Sequence, residues 1–429
     1  MSQSTNEYGG REPARFSLGT FRSFKNPVFR LFYGGMLGQM ASMNMQMLAR
    51  SLLVFRMTGS AAVLGAMSFA NALPMISLSL FGGVIADRVQ KKYVMLIGQA
   101  ASAVIALSVA IPLTLGYLSA DVSYNILGIV VPSWWILVLT SVAQGTVMAL
   151  MMPSRQAILP EIVDDEELMN AISLNTMGMN ALRLFAPALA GFLIEAIGFE
   201  AIYYVTSGLY LASVLFISFL PLTSTITIRG EGALDDIRQG LNYVWQETTI
   251  LLVLTFSLIL VVLSMPYMLL MPVFTETVLN VGAKELGILM SVSGGGAMVG
   301  SLVLASLPNK RRGMMLLASG ILLGSALLAF SLTSTMNMTL VTVVFVGLGQ
   351  SGQMTRGMTL VQYYVDDEYR GRVMSLLLMQ FGLTSFGAFL AGVLAEEVGI
   401  QLALGGFAVV LFVLSVMALA FVSRIRKLD

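Results

Sequence analysis

Long apolar runs recur along the chain, broken by short polar loops. A helix rises about 1.5 Å per residue, so roughly 20 apolar residues cross a hydrocarbon core about 30 Å thick. Twelve runs meet that measure, at about 29–54, 61–86, 93–116, 132–152, 169–196, 200–221, 248–274, 284–307, 313–334, 338–360, 373–396 and 400–423. Connections such as 55–60 and 197–199 are so short that the helices they join must run antiparallel. The longest polar break, 222–247, falls near the middle and holds Arg229, Gly230, Gly232 and an amphipathic stretch from Ala233 to Trp245. The pattern predicts a polar tail (1–27), a six-helix half (28–221), a central linker (222–247), a second six-helix half (248–423) and a short tail (424–429). The expected fold class is therefore an all-α membrane protein of twelve transmembrane helices in two pseudo-repeated halves.

The halves echo each other in sequence. Leu64-Gly65 matches Leu286-Gly287, and Val163-Asp164-Asp165-Glu166 after the fourth run matches Val365-Asp366-Asp367-Glu368 after the tenth. Parallel repeats of this kind place a substrate site where the halves meet. Lys and Arg sort to one side. With the N-terminus inside, only Arg56 and Lys284 fall in outer loops, and Arg50 and Arg183 lie within helices. The positive-inside rule then predicts that both termini and the 82–92 loop are cytoplasmic. Residues 1–27 are polar and lack the apolar core of a secretory signal, so the first long run is expected to stay as the first helix.

Composition narrows the function. Of the 429 residues, 57% are hydrophobic and 11% are charged, against roughly a quarter charged in a soluble domain. Cys and His are absent, which removes thiolate catalysis, disulfides and the commonest metal ligands. A net charge of +1 gives nucleic-acid binding no electrostatic support. Gly294-Gly295-Gly296 lacks the Lys-Ser/Thr that completes a phosphate loop, so no nucleotide partner is expected. The chain reads as neither an enzyme nor a carrier of a cofactor or metal, and as a monomer in the lipid bilayer.

One loop carries a more specific signal. Gly82 and Gly83 close the second run, and Asp87, Arg88, Lys91 and Lys92 follow before the third. The spacing Gly83-x-x-x-Asp87-Arg88-x-x-Lys91-Lys92 resembles the loop motif of the major facilitator superfamily, with Gln90 where that family usually has Gly. The fifth run holds Asn180-x-x-Arg183 and then Ala186-Pro187-Ala188-Leu189-Ala190-Gly191. It is similar to the kinked helix 5 of exporters in the superfamily, and equally to any Pro-kinked helix packed through small residues. Pro153-Ser154-Arg155-Gln156-Ala157, Leu159-Pro160-Glu161, Asn26-Pro27-x-x-Arg30 and Thr58-Gly59-Ser60 resemble the enterobactin-exporter and macrolide-efflux (transmembrane secretion effector) subgroup.

The resemblance implies a secondary carrier working by alternating access, in a bacterial plasma membrane, with helices 1, 4, 7 and 10 lining a central cavity. Gln39, Met43, Gln46 and Arg50 fall at i, i+4, i+7 and i+11 on one face of helix 1. With them, the candidate cavity residues are Gln144, Met148, Met268, Gln350 and Gln353. Arg50 also suits snorkelling toward the outer interface. Arg183 sits near mid-span, where a cation costs about 2.5–3.5 kcal/mol on insertion scales, and no carboxylate of its own helix is near. It contacts either ligand, or polar side chains and the backbone carbonyls freed near Pro187. The 30 Met residues suit bulky, irregular ligands where they face a cavity and ordinary packing elsewhere.

The implied task is export of a bulky amphipathic compound (a drug, macrolide or siderophore) driven by the proton gradient. A narrow-specificity nutrient importer and a non-transporting scaffold or sensor are the competing readings. No carboxylate lies at mid-membrane, which leaves Asp87, Glu195 and Glu276 as the titrating candidates. The resemblance further implies a cytoplasmic latch, in which Asp87 docks at the start of helix 11 beside Arg370 and Arg372 while Arg88, Lys91 and Lys92 reach Asp164–Glu167 or Asp366–Glu368.

Overall fold

A computed structural model describes residues 18–126, 128–222, 233–307, 310–366 and 368–428. Among them are twelve helices of 17 residues or more. We number them α1 (Pro27–Thr58), α2 (Ala61–Arg88), α3 (Lys91–Thr114), α4 (Trp135–Ala157), α5 (Asp165–Ile197) and α6 (Phe199–Ser218) in the first half. The second half holds α7 (Thr248–Ser264), α8 (Ala283–Ser306), α9 (Arg312–Ser331), α10 (Met336–Tyr364), α11 (Arg370–Val398) and α12 (Ile400–Phe421). Nine helices among the described residues are long and apolar enough, by length and composition alone, to cross a membrane. The three long helices outside that set are α1, α10 and α11. Interior polar residues, among them Gln39, Gln46, Arg50, Gln350, Gln353 and Arg356, lower the mean hydropathy of α1 and α10.

Local chemistry sets the boundaries. The Asn26 side chain accepts the Val28 and Phe29 N–H groups, Pro27 begins α1, and Gly59 ends it at φ +63°. Ser60 then caps α2 through the Val63 N–H at 3.1 Å, so the turn needs only two residues. A single glycine separates α5 from α6 and α11 from α12, Gly198 at φ +92° and Gly399 at φ +87°. Only glycine adopts that backbone without strain, and its recurrence marks the repeat.

Two features depart from the pattern-based expectation. The run at 248–274 is not one helix: α7 stops at Ser264, and short helices Pro266–Leu269 and Met271–Thr277 follow. Pro266 and Pro272 lack the N–H that would continue the ladder and instead open each new helix. Between α3 and α4 the chain forms an antiparallel hairpin, β1 (Ser123–Ile126) with β2 (Ile129–Pro132), in register from Ser123↔Pro132 to Ile126↔Ile129. The central linker contributes the helix Ala233–Gln246, and its residues 223–232 lie outside the described ones.

Within each half the same pairs meet: α2 with α4 and α3 with α6, then α8 with α10 and α9 with α12. Between halves, α2 packs on α11 and α5 on α8. Both seams are tight at the end of the bundle opposite the termini. Gly65 lies against Ala388 and Phe389, Gly392 against Ala61, and Gly191 against Ala283 and Gly287. A Cβ at any of these glycines would strike backbone atoms of the other half.

The α5–α8 seam splits at mid-depth. On α8 the contact stripe runs Ala283, Gly287, Ser291, Gly294, and its continuation, Met298 and Leu302, is exposed. On α5 the stripe runs Glu195, Gly191, Ala188, Arg183, and its continuation, Asn180 and Met177, is exposed. The structure is thus closed at the face opposite the termini, and a cleft opens toward the face that carries them.

Candidate transport site

Arg183 lies where the seam splits. Pro187 has no N–H to give the Arg183 carbonyl, and Gly294 of α8 packs directly against that carbonyl. The Arg183 guanidinium reaches into the second half, where Nη2 donates to Gln350 Oε1 at 3.0 Å. Gln350 Nε2 in turn points at Met265 Sδ at 3.4 Å, at the break after α7. Buried Tyr267 shares a 2.8 Å hydrogen bond with Ser293 and lies within electrostatic reach of Arg183. The apex of the cleft is therefore a cation held by a neutral amide, beside a Tyr–Ser pair, with no carboxylate among the described partners.

The other residues chosen from the sequence divide into two sets. Met43 is 37% exposed, while Met148, Met268, Arg50 and Arg183 are half-buried. Gln39, Gln46, Gln144, Gln350 and Gln353 are buried, none more than 6% exposed. The first three belong to a polar core inside the first half. Gln39 Nε2 approaches Met151 Sδ at 3.7 Å, Gln144 Nε2 donates to Ser102 Oγ at 3.2 Å, and Arg50 Nη1 donates to Ser141 Oγ at 3.3 Å. Fully buried Gln99 of α3 and the Tyr203 and Tyr210 hydroxyls of α6 join this core, and several of its polar atoms, including Gln39 Oε1 and both amide atoms of Gln99, have no protein partner. Such atoms are ordinarily satisfied by enclosed water. Gln99, Tyr203 and Tyr210 escape a reading confined to helices 1, 4, 7 and 10. Their one signal is polar groups on otherwise apolar helices.

Asn180 is exposed, whereas Pro187 is buried in a helix that stays continuous through it. Gly191, the last residue of that motif, is the closest approach of α5 to α8.

The 82–92 stretch forms the end of α2 and the start of α3. Gly83 has open space around it, Arg88 is exposed, and the Asp87 side chain lies outside the described residues. Lys91 is 7% exposed and pairs with Glu161 at 2.7 Å, and Lys92 donates to the Leu220 carbonyl at 2.5 Å. In this state both lysines therefore hold partners in their own half. Asp367 also lies outside the described residues. At the start of α11, the Arg372 guanidinium sits 5.6 Å from the Tyr369 ring centroid, and Tyr369 stacks on Tyr243 of the linker helix at 4.3 Å. Arg370 opens α11 beside them. No group of His, Cys, Asp and Glu among the described residues has the arrangement of a metal site.

At the closed face, Arg56 at the end of α1 pairs with Glu276 of the second half at 2.6 Å. Glu195 at the end of α5 accepts the Lys284 backbone N–H at 3.3 Å, in the first turn of α8. An anion there meets unpaired N–H groups and the positive end of the helix dipole. Two of the candidate titrating residues thus sit at contacts that join the halves.

Known proteins share this organisation. Over 381 residues the chain is 25% identical to the staphyloferrin A transporter of Staphylococcus aureus, covering 88% of this chain and 90% of that one. It is 26% identical over 389 residues to the multidrug efflux pump Tap of Mycolicibacterium fortuitum, covering 88% and 91%. Among solved structures, a bacterial homologue of the human lysosomal transporter Spinster, in an inward-facing and unoccupied conformation, matches with a TM-score of 0.69 at 14% identity over 95% of this chain and 98% of that one. That likeness is one of fold. The family model described as transmembrane secretion effector matches residues 18–429. The chain is a multi-pass membrane transporter of the major facilitator fold, and it belongs to the transmembrane secretion effector family.

Proposed function

We propose that this transporter exports bulky amphipathic compounds by alternating access, drawing on the proton gradient. The observation that carries the reading is the split seam: the halves are closed at one face, open at the other, and joined at the apex by the Arg183–Gln350 bond. In this reading the face carrying the termini is cytoplasmic, as the distribution of Lys and Arg favours. The cleft then takes its compound from the cytoplasm. Met43, Met148 and Met268 offer adaptable apolar surface, and Gln350 and Gln353 lie behind it as amides. Relatives named as a siderophore transporter and a multidrug efflux pump support the substrate range.

Proton entry fits the placement of Glu195 and Glu276. Both are carboxylates at contacts that must break when the closed face opens. Protonation removes the charge from each contact and so favours opening to the outside, where the proton concentration is higher. The test is transport in proteoliposomes with an imposed pH gradient, over a panel of erythromycin, ethidium and a siderophore. The expected result is accumulation of at least one compound that collapses with a protonophore. Accumulation unaffected by the gradient would remove proton coupling, and none under any gradient would remove export.

A further inference from the structure

Arg50, Arg155, Arg183 and Arg356 lie in the long helices and are at least partly buried. Arg356 donates to the Leu304 carbonyl at 3.1 Å, in the last turn of α8, where the helix end is partly negative. It is a structural cation. Arg50 lies with Ser141 in the polar core of the first half. Arg155 and Arg183 differ from both. Arg183 has one neutral amide oxygen. Among the described residues the Arg155 guanidinium meets two thioethers, Met40 Sδ at 3.8 Å and Met152 Sδ at 3.5 Å. Sulfur is a weak acceptor, so most of the five guanidinium donors lack a strong protein partner. None of the ion pairs among the described residues involves either arginine. Every Asp and Glu of the chain lies in a loop or in the end turns of a helix, so no carboxylate at mid-span neutralises Arg183.

Arg155 also has the right placement. Met148, Met152 and Arg155 follow one another at i, i+4 and i+7 on one face of α4, and all three are half-buried. Met40 reaches Arg155 from α1. A half-buried guanidinium with no anionic partner among the described residues, flanked by thioethers, matches a ligand with an anionic group and an apolar body. Carboxylate is the complementary group, because both of its oxygens match the planar fork of the guanidinium.

We propose that the exported compound is an amphipathic organic carboxylate, and that Arg155 is an anchor for its negative charge, with Arg183 deeper at the apex of the cleft. This rests on the exporter reading and narrows it to a charge class. It also gives the arginine of the Pro153–Ala157 motif a role in specificity.

The test uses the full chain in lipid nanodiscs and two fluorescent probes, dansyl-glutamate and its dimethyl ester. They share the apolar group and differ in the carboxylates. A hydrogen-bonded charge contact of this kind corresponds to a preference of about 10–100-fold for the acid. Arg155→Gln should lower acid affinity by about 10-fold or more and leave the ester within about twofold, and Arg155→Lys should restore part of the preference. The ester readout and an unchanged melting temperature separate this from damage to the fold. Equal binding of acid and ester by the unaltered protein would overturn the assignment, as would an Arg155→Gln variant that keeps the full preference for the acid. Neither result touches the exporter reading, which stands or falls on transport of the wider panel. Binding of neither probe overturns the carboxylate assignment while leaving that transport test in force.

Discussion

At the scale of single residues, the informative groups are those with too few partners. Arg183 is conspicuous in the sequence because a cation at mid-span is costly. Its partner is not visible there. Gln350 is 167 positions away and neutral, so no charge pattern links the two. The arginine was therefore legible and the bond was not. Truncating Arg183 removes the donor that ties α5 to α10 at the apex. Arg183→Ala should weaken a carboxylate probe by about 10-fold or more, from the loss of a charge-assisted contact, and a neutral ester by much less. Titration of both probes against the variant checks this. A uniform loss together with a lower melting temperature would make Arg183 a brace and not a ligand contact. Arg155 gave a weaker sequence signal, because a cation near a helix end usually snorkels to water. Only its thioether surroundings in the structure set it apart.

At the scale of elements, the twelve helices were readable because length and hydropathy alone nearly define a membrane span. The residues that interrupt them were less so. Pro266 and Pro272 divide the seventh run, yet Pro is tolerated within membrane helices often enough that its presence does not force a break. The β1–β2 hairpin is four residues per strand, too short for alternation to declare itself against a polar loop. The helix-1 stripe shows a subtler limit. Helical periodicity puts Gln39, Met43, Gln46 and Arg50 on one face, but the packing of α4 and α6 decides which of them meets water. Met43 is 37% exposed and Gln46 is 3% exposed, so single Cys residues at these positions should behave differently. Met43→Cys should react readily with a small water-soluble thiol reagent and be protected by substrate, and Gln46→Cys should react far more slowly. The absence of native Cys leaves no background. Equal rates would show that the cleft wall lies elsewhere. The seam glycines offer a second check at this scale. A side chain at Gly191 meets the Ala283 carbonyl, which is backbone and cannot swing away. In a Met43→Cys background, Gly191→Leu should hold α5 and α8 apart, raise thiol labelling from the closed face and slow transport while expression persists. Labelling and transport both unchanged would show that this close approach is dispensable.

For the whole molecule, two sets of contacts at opposite ends of the bundle should compete. At the closed face, the Arg56–Glu276 pair and Glu195 at the start of α8 join the halves. At the other face, the proposed latch would bring Asp87 to the start of α11. The proposed latch would make the two ends alike in their physics, with a carboxylate at the N-terminus of a helix in the second half at each face. The loop motif suggests the Asp87 contact from sequence, and nothing there suggests the Glu195 contact, because a lone Glu in a turn carries no pattern until α8 is seen beside it. An exposed ion pair contributes about 0.2–1 kcal/mol and a carboxylate at a helix N-terminus about 0.3–1 kcal/mol. Together they bias the two states by about 0.5–2 kcal/mol, a factor of roughly 2–30 in population. Glu195→Gln with Glu276→Gln should therefore shift the protein toward opening at the face that is closed here. Asp87→Asn should shift it the other way. Spin labels at positions 58 and 280 report the first face, and labels at positions 89 and 368 report the second. The expected result for the double Gln variant is a longer 58–280 separation and a shorter 89–368 separation, with the reverse for Asp87→Asn. If the variants leave both distance distributions unchanged, the two ends are not opposed latches, and the preference for this state resides in the apolar packing of the seams.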